Sequence, residues 1–342
     1  MNEPLKFGSI TIGEDFPVVT IAEAAVEHLG NLNVAMRMAD KAKDIGADFI
    51  KFQMHLPEDE MIPDVIKFWG GSLDEILEKY NLSVDDHRAL IKHCREIEIQ
   101  YLCTPFCPRA VDVLNELGVA GFKTGSGEMA NFPMMEKIAK TQKPVIVSTG
   151  MSTSEEVGET VDFLKAKKAK FMITNCTSIY PAPYETINLN LIPEYKKKFD
   201  ILVGHSDHTP DIWTALGAVA LGAKVIEKHF TLNRAMKGPD YEVSLEPHDF
   251  KLMVSAIKKI EAALGAKKQL HEDEKNVRDW AHHSVVTLVD VPKNTTLQAE
   301  MLSVKRPGRG IPAKYLSNLL KYKTTKALSK DTILQWDHIE AL

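Results

Sequence analysis

The stretch 201–230, ILVGHSDHTPDIWTALGAVALGAKVIEKHF, contains the repeating unit that decides the fold. A short apolar run is followed by polar residues, then by a segment with helical spacing of apolar residues, then by a second apolar run. Runs of this kind occur eight times, at residues 18–23, 49–53, 100–104, 121–126, 145–149, 171–176, 201–206 and 225–230. Because nearly continuous apolar strands that alternate with helices pair in parallel, the pattern predicts a (β/α)8 TIM barrel, an α/β fold.

An open, doubly wound sheet is the alternative for the same alternation of strands and helices. A dinucleotide-binding sheet of that kind would carry a Gly-x-Gly-x-x-Gly turn after its first strand, and the first run is not followed by one. The Gly125-Ser126-Gly127 turn after the fourth run is too isolated to count as that motif. The barrel is therefore the favoured prediction.

The chain has 342 residues, which is more than a barrel of about 250 residues requires. We expect the barrel in residues 1–265, a charged linker in residues 266–281, and a small module in residues 282–342. Short β-like runs at 284–289 and 333–336, separated by Pro and Gly turns, predict a mostly β module. Since about 60 residues make a marginal core, this module is expected to lean on another surface.

The amino-acid composition limits which binding partners and which cellular location are expected. The sequence has 42 Lys and Arg against 47 Asp and Glu, a net charge of −5 without a basic stripe, so nucleic acid is not an expected partner. The sequence shows neither an apolar run of 18 residues nor a signal-peptide pattern, so we expect no membrane association and a cytoplasmic location. The four cysteines lack the paired spacing of secreted domains and are expected to be reduced and buried.

Two lysines lie inside the predicted strands. Lys51 lies within Phe-Ile-Lys-Phe-Gln and Lys123 within Gly-Phe-Lys-Thr-Gly, and a buried ammonium group is costly unless an opposite charge compensates it. A structural ion pair would provide that compensation, and so would a bound anion. The carboxyl ends of all eight strands meet at one mouth, where many Ser and Thr hydroxyls also converge. Two cations with several hydroxyls favour a small, multiply charged anion, such as a phosphate ester with a carboxylate.

Histidines and carboxylates complete the predicted mouth. His208 and His229 follow adjacent strands, and two imidazoles without neighbouring cysteines favour a divalent cation held partly by nitrogen and partly by water or substrate oxygen. Glu23, Glu128 and Asp240 are carboxylates that could accept a proton from water or bind sugar hydroxyls. Each of the three could instead only balance the lysines.

The strand ends and the tail of the chain resemble the sialic acid synthase family. The matching segments are Ile-Ala-Glu23-Ala, Ile-Lys51-Phe-Gln53, Cys-Thr104-Pro-Phe, Phe-Lys123-Thr-Gly-Ser126-Gly-Glu128, Val-Ser148-Thr-Gly-Met, Ser178-Ile-Tyr180-Pro, Ser206-Asp-His208-Thr and Glu-Lys-His229-Phe-Thr. The tail Val-Lys-Arg306-Pro-Gly-Arg309-Gly-Ile-Pro resembles the antifreeze-like (SAF) domain that this family carries after the barrel. The resemblance covers nearly the whole chain.

This resemblance implies a transferase that condenses phosphoenolpyruvate with an N-acyl hexosamine such as N-acetylmannosamine. Phosphate would leave by C–O cleavage, and the product would be a nine-carbon 2-keto acid. A divalent ion, Mn²⁺ or Mg²⁺, is implied on His208 and His229. The resemblance also implies a homodimer in which the SAF domain of one chain caps the barrel of the other, with Arg306 reaching the acyl group of the sugar.

The same resemblance assigns roles to the residues of the mouth. Glu128 is the expected base, with Glu23 as the second choice, and Lys51 and Lys123 are expected to hold the phosphate and carboxylate. The remaining expected substrate-binding residues are Gln53, Thr104, Ser126, Ser148, Ser178, Tyr180, Ser206 and Asp240. Of these, Gln53 and Asp240 are expected to orient sugar hydroxyls.

Alternatives remain for the substrate and for the reaction. Ser178 stands where bacterial N-acetylneuraminate synthases tend to carry asparagine, so the identity of the sugar substrate is not decided. We favour N-acetylneuraminate or legionaminate as the product over pseudaminate. Legionaminate and pseudaminate would both need a diacetamido-hexose as substrate. A Schiff-base aldolase using Lys123 is a second enzyme hypothesis. A non-catalytic barrel that presents its C-terminal module to carbohydrate is disfavoured, because charged groups at so many buried strand ends would only destabilise it.

Overall fold

The structure is a computed structural model that describes residues 3–65, 67, 68 and 71–342. Its central feature is an eight-stranded parallel sheet. The strands are β1 (Val19–Ala25), β2 (Phe49–Met54), β3 (Gln100–Pro105), β4 (Phe122–Thr124), β5 (Val145–Ser148), β6 (Phe171–Cys176), β7 (Val203–Asp207) and β8 (Val225–His229). Their order in the sheet is β3-β2-β1-β8-β7-β6-β5-β4. Since β8 pairs with β1 and β3 contacts β4, the sheet closes on itself, and the predicted TIM barrel is confirmed.

One main helix follows each strand. These helices are α1 (Leu32–Asp44), α2 (Val84–Glu96), α3 (Pro108–Glu116), α4 (Phe132–Lys140), α5 (Ser154–Ala166), α6 (Leu191–Phe199), α7 (Trp213–Ala220) and α8 (Pro247–Ala263). Smaller elements occupy the connections: helices Pro57–Glu60 and Leu73–Tyr80, strands Lys67–Phe68 and Gly71–Ser72, and 3₁₀ turns Tyr184–Thr186 and Arg234–Met236.

Local sequence explains where the helices start and which face they bury. Thr153 accepts a hydrogen bond from the backbone of Glu156, and the Glu156 side chain accepts one from the backbone of Thr153, so this capping box starts α5. In α1, the residues buried against the sheet recur at helical spacing and include Ala35, Met38 and Ala42. Each helix therefore packs an apolar stripe on the outside of the barrel.

The two ends of the barrel interior differ in polarity. At the amino end of the strands, a hairpin of Leu5–Phe7 and Ile10–Ile12 covers the opening, and Phe7 packs edge-to-face on Phe49 with ring centroids 5.8 Å apart. Gly121 makes this fit possible, because a Cβ atom there would lie 2.4 Å from the Phe7 ring. This end is filled with apolar side chains, so the polar residues are left to the carboxyl ends of the strands.

The C-terminal residues Ala266–Leu342 form a second compact unit. Its strands are Ser284–Thr287 paired with Leu302–Lys305, and Tyr322–Thr324 paired with Ile339–Ala341, with 3₁₀ turns at Ala299–Met301, Ala313–Lys321 and Trp336–His338. A small apolar core that includes Val285, Leu302 and Leu334 lies between them. The predicted run 333–336 makes only an isolated bridge, from Ile333 to Val286.

The segment predicted as a linker is partly helical. Residues Glu274–Ala281 form a helix, and Asp279 near its end accepts hydrogen bonds from Arg309 and, through its carbonyl, from the backbone of Gly308. The charged composition of 266–281 predicts a linker, but charged residues also suit an exposed helix. Of the helices in the described residues, none combines the length and apolar character needed to cross a membrane.

Candidate active site

A cavity of about 560 Å³ opens at the carboxyl ends of the strands. Strands and the loops that follow them contribute polar side chains to its wall, among them Glu23 from β1, Lys51 from β2, Lys123 from β4 and Glu227 from β8. This is the end of a TIM barrel at which active sites form. The convergence of residues far apart in sequence is therefore a direct consequence of barrel closure.

Two lysines and two glutamates form an ion-pair cluster at the floor of the cavity. Lys51 Nζ lies 2.9 Å from Glu23 Oε2 and 3.1 Å from Glu227 Oε1, and Lys123 Nζ lies 3.1 Å from Glu227 Oε2. Lys51 also donates to the Thr104 hydroxyl at 2.8 Å. All four charged side chains are buried, so structural ion pairs, which the sequence had left open, do compensate both lysines.

The two lysines act on the ionisation of the glutamates in the cluster. Burial alone would raise the pKa of Glu227, but Lys123 and Lys51 outweigh it and hold that pKa well below its usual range. Burial raises the pKa of Glu23 despite the attraction of Lys51. Burial opposes the charge of Lys51, but Glu227 and Glu23 raise its pKa above the usual range. Glu227 is thus firmly ionised between two lysines, and the ammonium groups of those lysines can also attract a bound anion.

Hydroxyl groups continue from the cluster along the wall. Ser206 donates to Glu227, the hydroxyls of Thr174 and Ser206 are 3.0 Å apart, and those of Ser148 and Thr174 are 3.3 Å apart. Gly150 keeps room for two further hydroxyls, because a Cβ atom there would lie 2.2 Å from Ser178 Oγ. These groups can donate hydrogen bonds to the oxygens of a bound anion.

Glu128 is a carboxylate without an ion-pair partner among the described residues. It follows β4 in the Ser-Gly-Glu turn and is only partly exposed, and its Oε2 atom is buried with no hydrogen-bond partner in the part of the chain that the structure describes. Burial raises the pKa of Glu128 to about 7. A carboxylate whose pKa lies near neutrality can accept and return a proton under working conditions, which is the property of a general base.

His208 and His229 face each other on the opposite side of the cavity. Their ring centroids are 5.3 Å apart, and the Tyr180 ring stacks on His208 at 4.1 Å. His208 Nδ1 lies 2.6 Å from the carbonyl of Thr177, which fixes the ring and leaves Nε2 free. His229 Nδ1 is buried without a hydrogen-bond partner and lies 3.6 Å from Asp240 Oδ2.

This pair of rings suits a divalent ion only in part. Within the described ranges, no three His, Cys, Asp or Glu side chains are grouped closely enough to hold a metal ion by themselves. Two imidazoles with one orphaned nitrogen do fit an ion whose other ligands are oxygens of water or substrate. Burial lowers the pKa of His229 well below its usual range, so its ring is neutral, as a metal ligand requires.

Gln53 is held between two side chains. Its Nε2 atom donates to Glu23 Oε1 at 3.0 Å, and its Oε1 atom lies 3.1 Å from His55 Nε2. His55 Nδ1 in turn lies 3.0 Å from both carboxylate oxygens of Glu60. A chain of contacts therefore runs from Glu60 to the ion-pair cluster.

The structure brings all the predicted site residues except Arg306 to the wall of this one cavity. They are Glu23, Lys51, Gln53, Thr104, Lys123, Ser126, Glu128, Ser148, Ser178, Tyr180, Ser206, His208, His229 and Asp240. Arg306 lies in the C-terminal unit, exposed, with its guanidinium carbon 5.5 Å from the centre of the Trp280 ring.

Sequence reasoning missed Glu227, His55 and Glu60 as members of the site. Strand alternation offered a signal for Glu227, which lies two residues before His229 on the same face of β8. His55 follows the end of β2 at Met54, where strand alternation no longer applies. Glu60 lies on the short helix Pro57–Glu60, and nothing in its local sequence pointed to the cavity.

Comparisons with known proteins agree with this geometry. The NeuB family model matches residues 38–269, and the SAF domain model matches residues 282–340. The N,N'-diacetyllegionaminic acid synthase of Campylobacter jejuni is 38% identical, over 92% of this chain and 98% of its own. The N-acetylneuraminate-9-phosphate synthase of Homo sapiens is 36% identical, over 95% of this chain and 93% of its own.

A solved structure is similar as well. The N-acetylneuraminic acid synthetase of Leptospira borgpetersenii, crystallised in complex with citrate, is 32% identical with a TM-score of 0.74, over 80% of this chain and 95% of its own. The chain therefore belongs to the NeuB family of sialic, legionaminic and pseudaminic acid synthases, and it carries a SAF domain at its C-terminus.

Proposed function

We propose that the protein condenses phosphoenolpyruvate with an N-acyl hexosamine in its open-chain aldehyde form and releases inorganic phosphate. The product is a nine-carbon 2-keto acid, N-acetylneuraminate or legionaminate. The observation that carries this proposal is the floor of the cavity, where two lysines, Lys51 and Lys123, converge on the carboxylate of Glu227. Such a floor attracts the phosphate and carboxylate of phosphoenolpyruvate, and a neutral sugar alone would not need it.

The enol half of the site consists of the lysines and the hydroxyls beside them. Lys51 and Lys123 supply charge, and the hydroxyl groups supply directional hydrogen bonds to the substrate oxygens. The hydroxyl residues are Thr104, Ser126, Ser148, Ser178 and Ser206. When the anion is bound, the same lysines stabilise the negative charge that develops on the departing phosphate.

The reaction forms one carbon–carbon bond and breaks one carbon–oxygen bond. C3 of phosphoenolpyruvate attacks the aldehyde carbon, whose oxygen takes up a proton, and C2 becomes electron-poor. Water adds to C2 and gives a proton to Glu128, whose unpartnered Oε2 and pKa near 7 suit this role; Glu23 is the second candidate. The bond from C2 to the phosphate oxygen then breaks, phosphate leaves with the electron pair, the new C2 hydroxyl gives its proton to the leaving phosphate, and C2 becomes the keto carbon.

His208 and His229 would hold a divalent ion, Mn²⁺ or Mg²⁺. Such an ion acts as a Lewis acid that polarises the sugar aldehyde. Tyr180, stacked on His208, orients that ring and shields it from solvent on one face. Asp240 lies on the same side, and with Gln53 it would orient the hydroxyl groups of the sugar.

The sugar half is completed by a second subunit in this proposal. The SAF domain is too small to form a large hydrophobic core of its own. Arg306 is exposed on this domain, beside Trp280. In a homodimer, the SAF domain of one chain would cap the barrel of the other, and its guanidinium would donate to the acyl carbonyl of the sugar. The names of the relatives at 38% and 36% identity support an N-acetyl or diacetamido hexosamine as substrate.

The test is phosphate release from phosphoenolpyruvate with a panel of sugars. The panel contains no sugar, N-acetylmannosamine, its 6-phosphate, and a 2,4-diacetamido-trideoxyhexose, each with and without chelator and added Mn²⁺. We expect metal-dependent release with one N-acyl hexosamine and a product of the mass of the 2-keto acid. Release with none of them would overturn the proposal. A borohydride-trapped adduct of Lys123 with pyruvate would instead favour the Schiff-base aldolase.

A further inference from the structure

His55 is a buried histidine that lines the cavity beside Gln53. It is 5% exposed, and its ring stacks on Phe106 with centroids 4.2 Å apart. Both ring nitrogens lie against side-chain oxygens, Glu60 at Nδ1 and Gln53 Oε1 at Nε2, each within 3.1 Å. The ring is therefore held at both of its nitrogens and on one face.

The contact with His55 determines how the Gln53 amide is oriented. An amide has an accepting and a donating end, and the two can exchange by rotation of the side chain. With Gln53 Oε1 placed against His55 Nε2, the amide nitrogen faces Glu23 and donates to it at 3.0 Å. One N–H and one oxygen lone pair of the amide then remain for a ligand, in fixed positions.

Without His55, the amide oxygen of Gln53 would lose the contact that holds it. The amide could then rotate, so that its N–H and its oxygen would each face the cavity part of the time. Sites that match a hydroxyl by a buried, oriented hydrogen-bonding group discriminate strongly, because a mismatch leaves that group unpaired. The orientation of Gln53 therefore bears on which sugar is accepted, while the contacts of Lys51 and Lys123 with Glu227 do not include Gln53.

We propose that His55 is a positioning residue that sets hexosamine specificity by fixing the Gln53 amide. Glu60 holds the ring through its other nitrogen, and Phe106 holds its face. This inference rests on the proposed function, since it assigns Gln53 to the hydroxyls of an N-acyl hexosamine.

The test is a double-mutant cycle read in the Michaelis constants of the two substrates. His55→Phe keeps the ring stacked on Phe106 and removes both hydrogen bonds, while Gln53→Met removes the amide at similar length. We expect His55→Phe to raise the KM for the hexosamine about tenfold, with the KM for phosphoenolpyruvate unchanged within about twofold. In the Gln53→Met background, His55→Phe is expected to have no further effect.

A matched control removes a buried histidine elsewhere in the barrel. His87 is fully buried and lies 2.7 Å from the Tyr101 hydroxyl, so His87→Phe carries a similar packing change away from Gln53. We expect it to leave both Michaelis constants within about twofold of wild type. If His55→Phe does not fold, Glu60→Gln replaces it in the cycle, and we expect a smaller rise in the same constant.

Two outcomes would overturn the inference. The first is a double mutant whose fold-changes multiply, because His55 would then act independently of Gln53. The second is an equal rise of both Michaelis constants, which a loss of general structure would produce. If the wild type condenses none of the hexosamines, the proposed function fails and this inference fails with it; if it condenses one and the cycle is multiplicative, only this inference fails.

Discussion

Replacing Glu128 by glutamine is expected to stabilise the barrel at pH 8 while stopping the reaction. The carboxylate lies in a partly buried turn after β4, and its Oε2 atom has no hydrogen-bond partner. Burial raises the pKa of Glu128 to about 7, against an ordinary value of 4.5. The folded protein therefore holds this group ionised at pH 8 at a cost in free energy, and an amide of the same shape avoids that cost.

The direction of the pH dependence of stability follows from which state, folded or unfolded, binds the proton of Glu128 more tightly. Below pH about 4.5 the group is protonated in both states, so it does not oppose folding there. As pH rises towards 7, the unfolded chain loses the proton first, and the free energy of unfolding falls. The loss is complete above pH about 7 and amounts to about 3 kcal/mol at about 1.4 kcal/mol per pKa unit. This is an upper figure, since a partly exposed carboxylate retains some contact with water.

The assay is the melting temperature of the barrel transition, compared at pH 5 and pH 8. For a unit of this size, 1 kcal/mol shifts Tm by about 2 to 4 °C, so Glu128→Gln is expected to raise Tm by about 5 to 10 °C at pH 8 and by about 2 °C or less at pH 5. The control is Glu159→Gln, an exposed glutamate within α5, which is expected to change Tm little at either pH. An equal shift of Tm at both pH values, or a lower Tm at pH 8, would refute the reasoning.

Further expectations concern activity and assembly. In the wild type, kcat/KM is expected to rise with pH through about 7 as Glu128 ionises, and Glu128→Gln should lose the chemical step but bind phosphoenolpyruvate normally in calorimetric titration. His208→Ala should abolish turnover and weaken Mn²⁺ binding without lowering Tm; near-native turnover in metal-stripped buffer would contradict the metal role. Lys51→Met and Lys123→Met should each weaken phosphoenolpyruvate binding at least tenfold, and unchanged affinity in both would exclude the proposed anion site. A chain ending at residue 265 and full-length Glu128→Gln should each be inactive alone yet recover activity when co-refolded; a verified heterodimer without recovery would argue against sites completed between subunits.

The barrel could be predicted because its strands follow a local rule. The run 171–176, in which three apolar residues precede Thr174 and Asn175, predicts a strand, and it forms β6 with the same bounds. The run 121–126 was predicted too long, since β4 ends at Thr124 and Gly125 begins the turn that carries Glu128. A Cβ atom at residue 125 would lie 2.4 Å from Glu128 Oε2, so a larger residue there would displace the Glu128 carboxylate. The end of the strand thus depends on how the turn packs, which periodicity does not register.

The composition of the site was predictable in part for the same reason. Closure of the barrel gathers the strand ends, so a list of polar residues at those ends is also a list of neighbours. The pairing among them was not predictable, because Glu227 meets Lys51 and Lys123 through distances that only the closed barrel defines. His55 was missed because it follows the end of β2, and its contact with Gln53 has no signature in composition or spacing.

The ion-pair cluster shows how this barrel keeps two buried lysines available for an anion. The two oxygens of Glu227 each take one ammonium group, so the lysines are separated by a shared carboxylate and their mutual repulsion is reduced. Glu23 pairs only with Lys51, and burial works against its charge. A second firmly ionised carboxylate would neutralise the floor and compete with the substrate, whereas no carboxylate at all would leave two uncompensated buried cations. The ion pairs of the cluster thus hold two ammonium groups at the place where phosphoenolpyruvate is proposed to bind, and protonation of Glu23, which its raised pKa favours, would leave an excess of positive charge there.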